Sequence, residues 1–111
     1  MSSITNDHMK EMMTKTKNYS VVILKAGPNL NQQDTPGIIW EHGRRNFELR
    51  ASGKLSIVCP VTDTSDVKGI GIFNVDQTEL KEIMDNDPGV KAGIFLYEIH
   101  SVRSFPGDQL P

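Results

Sequence analysis

The alternation of β-branched apolar runs with helix-start signals constrains this chain more than any single residue does. Residues 19–24, Tyr-Ser-Val-Val-Ile-Leu, predict a first strand, and Ala26-Gly27-Pro28-Asn29 ends it with turn chemistry. Thr35-Pro36 predicts a helix start, with threonine as the cap and proline in the first turn. That helix runs to about Ser52, where Gly53 suits its end. Residues 55–61 and 70–75 read as two further strands, separated by the polar stretch 62–66. Asp76-Gln77-Thr78-Glu79 opens a second helix that closes near Asn86. Asp87-Pro88-Gly89 begins a turn or one-turn helix closed by Gly93, and residues 94–102 form the last strand.

The order β-α-β-β-α-β is that of an α+β, ferredoxin-like domain: a four-stranded antiparallel sheet with two helices on one face. The second face of such a sheet is polar when it meets water. Here it reads as apolar. Strand side chains alternate, so Val21 and Ile23 oppose Val22 and Leu24. By the same rule Leu55, Ile57 and Val61 oppose Val58, and Ile94 and Leu96 oppose Phe95 and Ile99. The chain has no third helix to cover the second face, so a symmetric copy packing sheet to sheet is the economical solution. The expected assembly is a homodimer, a dimeric α/β barrel, with higher assembly left open; the alternative is a monomer with a partly apolar face.

The chain has 111 residues, enough for one domain and too few for two cores. Residues 1–17 are expected to form a flexible N-terminal extension, 18–103 the domain and 104–111 a polar tail. Met9, Met12 and Met13 share a face at helical spacing, so a short amphipathic helix is the other reading of the extension. With a net charge of −2 and no basic stripe beyond Arg44-Arg45, read as a solvated helix face, a nucleic-acid partner is not expected. The single cysteine, Cys59, precludes an intrachain disulfide framework and fits a reducing cytoplasm. No stretch approaches the ~20 apolar residues of a membrane span, so no membrane partner is expected.

Two residues stand out for chemistry. His42 falls four residues after Ile38 and three after Ile39, on or beside the buried stripe of the first helix. An imidazole there is either a hydrogen-bonded part of the core or a proton-transfer group at the edge of a cavity. Asp87, before Pro88, either caps the following turn or orients such an imidazole. Cys59 reads as a small buried filler. Gly69 and Gly71, on one face of the third strand, either leave room for a ligand or let another element approach closely, and packing is the preferred explanation. His8, His42 and His100 show no metal-ligand spacing, and no residue pattern calls for a cofactor.

Taken together, these segments resemble the YciI-like (YCII-related) family, over about residues 19–102. The matching features are the opening strand running into Lys25-Ala26-Gly27-Pro28, Glu41-His42, Gly53-Lys54-Leu55, Pro60 and the strand Gly69 to Phe73. The most specific is Asp87-Pro88-Gly89-Val90-Lys91-Ala92-Gly93, similar to the family's Asp-Pro-aromatic-Val-x-Ala-Gly. The resemblance implies the dimeric barrel and a site built from the helix histidine and the Asp-Pro aspartate, which fall on His42 and Asp87. It also implies a cofactor-independent small-molecule lyase or isomerase of the dehydrochlorinase type; the alternative is a noncatalytic ligand-binding or accessory dimeric module. Three positions depart from the pattern: Gly89 stands where an aromatic is common, Cys59 where a smaller residue precedes the proline, and Gly43 where an apolar residue is frequent.

Overall fold

A computed structural model describes residues 3–111; residues 1 and 2 of the expected extension lie outside the described residues. The chain forms α1 (Asn6–Met13), β1 (Lys17–Ala26), α2 (Thr35–Ala51), β2 (Leu55–Pro60), β3 (Val67–Phe73), α3 (Gln77–Asp85), α4 (Pro88–Lys91) and β4 (Phe95–Ser104). The helical alternative therefore holds within the extension. Thr5 caps α1 by accepting from the His8 N–H, and α1 buries none of its residues.

The strands lie in the order β2-β3-β1-β4, with every neighbouring pair antiparallel. This is the ferredoxin-like arrangement, with β1 and the glycine-containing β3 at the centre. β1 and β4 run longer than their apolar cores because ten residue pairs, Lys17–Ser104 through Ala26–Phe95, remain in register.

One face of the sheet carries Val22 and Leu24 from β1, Phe73 from β3 and Leu55 from β2. These pack with Leu80, Ile83 and Met84 of α3 and with Phe95 into the core. Leu80 and Ile94 are fully buried, each stabilising the fold by about 1.5–3 kcal/mol through removal from water. Asp76 caps α3 by accepting from the Glu79 N–H at 2.8 Å, while the Glu79 carboxylate pairs with Lys54 instead of closing a capping box.

Two local expectations are corrected. Asp34, not Thr35, is the cap residue of α2, and its side chain makes no capping bond. The Thr35 hydroxyl instead accepts from the Gln32 N–H at 3.0 Å, closing the turn before the helix. In β2 the register slips between Leu55 and Ile57, so Leu55 pairs with Phe73 and Val58 with Gly71. The extra residue at this bulge puts Leu55 and Val58 on the same face, and Ile57 with Cys59 on the other. Cys59 is consequently exposed on an edge strand rather than buried.

The second face is open. It carries Val21, Ile23, Ile57, Ile72, Ile70 at 40% exposure and Leu96 at 54%, with Lys25, Glu98 and His100 toward the β4 edge. The apolar second face expected from the alternation is present.

Candidate functional site

The position of Asp87 is set from a distance. The end of β1 is clamped to the segment after α4: the Gly27 N–H donates to the Ile94 carbonyl at 2.7 Å and the Asn29 N–H to that of Gly93 at 2.9 Å. The Asn29 amide adds a bond to the Ala92 carbonyl at 2.9 Å. A Cβ on Gly27 would stand 2.3 Å from the Gly93 carbonyl oxygen, so only glycine permits the approach. Gly93 itself turns at φ +73°, a conformation that disfavours side chains. This clamp fixes α4, and Asp87 stands at its N-terminus.

Asp87 is 1% exposed, and its carboxylate uses its oxygens separately. Oδ2 accepts from the N–H groups of Gly89 at 2.9 Å and Val90 at 3.2 Å, capping α4. Oδ1 lies 2.8 Å from Nδ1 of His42. The two sequence readings of Asp87, cap and imidazole partner, are both satisfied in one side chain. A carboxylate oxygen can only accept, so this contact places a proton on Nδ1, and in a neutral ring Nε2 is then the lone-pair nitrogen. Arg45 Nη1, 3.8 Å from the same Oδ1, donates to the Ile83 carbonyl at 2.7 Å and so ties α2 to the end of α3. The expected solvated Arg44-Arg45 face is thus divided: Arg44 pairs with Glu41 at the surface, while Arg45 turns inward.

His42 stands on the wall of a cavity of about 250 Å³ between α2 and the sheet. Its floor includes Gly69, Gly71 and Leu55, and Phe95 and Met84 close one side. A Cβ at Gly71 would come within 3.0 Å of the Phe73 ring and 3.4 Å of Leu55, and one at Gly69 within 3.7 Å of Leu24. Neighbouring side chains thus pack close over both glycines, in line with the packing explanation, and both also line the cavity. The Phe95 ring packs against His42, centroids 5.1 Å apart. Phe95 also covers Gly89, where a Cβ would meet the ring at 2.6 Å.

Sequence reasoning missed Asn46. Its Nδ2 lies 3.3 Å from Nε2 of His42 and its side chain lines the cavity. Its spacing of four residues from His42 on a helix was the available signal. Among the described residues, no three His, Cys, Asp or Glu side chains are grouped so as to hold a metal ion, and no helix is long and apolar enough to cross a membrane.

Outside the cavity, Tyr97 donates its hydroxyl to Asp85, which also pairs with Lys81. Lys81 and then Tyr97 hold the Asp85 carboxyl below the usual carboxylate range. Burial, reinforced by the Asp85 contact, pushes the Tyr97 phenol above its ordinary value. On the open face Lys25, followed by His100, holds Glu98 below the usual range.

Fold and site together define a class: a ferredoxin-like α+β domain with an imidazole–carboxylate pair set into a cavity between its helices and its sheet. Among solved structures, the chain is similar to a 5-chloro-2-hydroxyhydroquinone dehydrochlorinase from Burkholderia phenoliruptrix in complex with 2,5-dihydroxybenzoquinone. The similarity is 19% in identity, spans 73% of this chain and 90% of that one, and has a TM-score of 0.49. No family model and no curated protein sequence matches the chain.

Proposed function

We propose that this chain is a YCII-related, cofactor-independent enzyme of the lyase or isomerase type, in which His42 moves a proton on a small substrate. The observation that carries the reading is the His42 Nδ1–Asp87 Oδ1 contact of 2.8 Å on the wall of a cavity of about 250 Å³. Asp87 holds the ring by its Nδ1–H, and Nε2 takes the proton from an acidic C–H or O–H. Asp87 then faces an imidazolium, whose charge its carboxylate stabilises. The cavity suits a single ring, since an apolar cavity of about 150 Å³ already admits benzene. The Asp87-Pro88-Gly89-Val90 stretch supports the family reading.

The same reading includes a face-to-face homodimer, supported by the open apolar face of the sheet, and a cytoplasmic location, supported by the single cysteine. Wild-type protein and His42→Gln are incubated in deuterated buffer with a panel of phenols, lactones and small keto acids, and bound ligands are located by crystal soaking. The expected result is hydrogen–deuterium exchange or turnover of at least one ligand, lost in His42→Gln. Ligands that occupy the cavity with neither exchange nor turnover would instead establish a noncatalytic binding module.

A further inference from the structure

The cavity is mostly apolar, and three of its lining side chains are polar. His42 and Asn46 stand one turn apart on α2, and the remaining polar side chain, Lys68, donates to the Ser65 carbonyl. The other side chains lining it are apolar, and no carboxylate faces it, because Asp87 lies behind His42. A ligand filling this space therefore meets a mostly apolar surface, with the Lys68 ammonium on β3 and, along one turn of α2, His42 and Asn46 as its polar groups. On that turn it finds a lone-pair nitrogen, Nε2, and an amide donor, Asn46 Nδ2.

The tautomer set by Asp87 fixes the sense of the Asn46 contact. Nε2 accepts, so Asn46 presents its NH₂ group. At 3.3 Å the bond is longer than the usual N–H···N or N–H···O range of about 2.7–3.2 Å, and a better acceptor displaces it readily. An amide N–H that rests against the base in the free protein is placed to bind the oxygen next to the proton the base removes.

We propose that Asn46 binds the oxygen of the substrate, and that the substrate class is a monocyclic phenol or an enolisable ring ketone. This rests on the proton-transfer reading above and adds the ligand class to it. With a phenol, the O–H proton passes to Nε2, the electron pair stays on oxygen, and Asn46 donates to the phenolate. With a ketone, the α-C–H proton passes to Nε2. Its electron pair becomes the new C=C bond, and the C=O π pair moves to the oxygen that Asn46 holds. Both steps are redox-neutral and need no co-reactant. The negative charge develops where the cavity offers a donor and an adjacent imidazolium and no opposing carboxylate.

The test uses 4-nitrophenol, whose phenol and phenolate absorb at different wavelengths, with the full-length wild type, Asn46→Ala, Asn46→Asp and His42→Gln. Wild type is expected to bind it as the phenolate. Asn46→Ala should weaken that binding by roughly tenfold, the worth of one hydrogen bond to a charged oxygen, with unchanged thermal stability. Asn46→Asp keeps the side chain's shape but opposes the phenolate, and should weaken binding further. His42→Gln should bind the neutral phenol instead. If both Asn46 variants bind phenolate like wild type while His42→Gln does not, the Asn46 assignment is wrong and the proton-transfer reading survives. If His42→Gln also binds phenolate like wild type, both fall. A wild type that fails to bind the probe overturns the phenol class.

Discussion

Asp87→Asn separates two duties that one carboxylate now performs. In the wild type Oδ2 serves two backbone N–H groups and Oδ1 serves His42, with the side chain 2% exposed. Asparagine has one carbonyl oxygen and one NH₂. If the oxygen faces His42, the NH₂ abuts the N–H groups of Gly89 and Val90, leaving two buried donors unsatisfied at about 1–3 kcal/mol each. If the oxygen keeps the cap, the NH₂ faces Nδ1, which must then accept. The second arrangement loses less, so the imidazole proton is expected to move from Nδ1 to Nε2. Asparagine caps about as well as aspartate, so the loss of stability is confined to the charge-assisted part of the pair, about 1 kcal/mol. Asp87→Ala loses the cap and the pair and leaves a void, about 3 kcal/mol in all.

Urea unfolding separates these values, with midpoints lowered by about 0.5 M for Asp87→Asn and roughly 1 to 2 M for Asp87→Ala. Far-ultraviolet circular dichroism is the suitable probe, because Trp40 is 71% exposed and its fluorescence reports little of the core. Long-range ¹⁵N–¹H correlation of the imidazole reads the tautomer directly. Asp87→Asn would then be a folded protein whose proposed base carries a proton on the wrong nitrogen. Retention of the Nδ1–H tautomer in Asp87→Asn, or midpoints that coincide for the two variants, refutes the division of labour assigned to the two oxygens.

Gly89→Ala is expected to destabilise the fold by about 1–2 kcal/mol, since its Cβ would lie 2.6 Å from the Phe95 ring; calorimetry showing equal or higher stability contradicts the packing described. Ile70→Lys, at a position 40% exposed in the single chain, should leave the domain folded but convert the proposed dimer to a monomer in sedimentation equilibrium. The raised Tyr97 phenol means that the folded state keeps its proton where the unfolded chain loses it. That contribution is complete below pH 10.0, the ordinary phenol value, and disappears as pH rises through the folded-state value. Tyr97→Phe should remove this alkaline decline in melting temperature. The lowered Asp85 carboxyl has the opposite sense: its contribution is present above the ordinary carboxylate value and is lost as pH falls through the folded-state value. Lys81→Met should therefore move the acid loss of stability to higher pH.

The element order, the antiparallel sheet and its apolar second face were legible because hydrophobic period and turn chemistry report on local backbone. What escaped was set by neighbours. The bulge after Leu55 cannot be seen in a period-two count, since one inserted residue reverses every later side chain and carried Cys59 to the surface. Thr35 looks like a cap by composition, but the hydrogen bond it offers goes to the preceding turn. At the site, the helical position of His42 was readable, whereas its pairing with Asp87 spans 45 residues; residue chemistry left Asp87 open between cap and imidazole partner, and the resemblance around Asp87-Pro88 singled out the pair. Asn46 and Arg45 gave weaker signals, because an amide or a guanidinium on a helix is usually a surface group until the partner carbonyl or imidazole is seen.

The clamp that joins Gly27 and Asn29 to residues 92–94 also governs when the site can exist. His42 and Asp87 both lie inside the long loop it closes, so a nascent chain has no assembled pair until the start of β4 has docked beside β1. In the finished domain the same bonds lie at the junction of two long central and edge strands, not on a free-standing lid. Amides of Gly27 and Asn29 should therefore exchange with solvent only as slowly as the sheet itself comes apart. The integrity of the His42–Asp87 pair is tied to the global unfolding equilibrium rather than to the motion of any one loop.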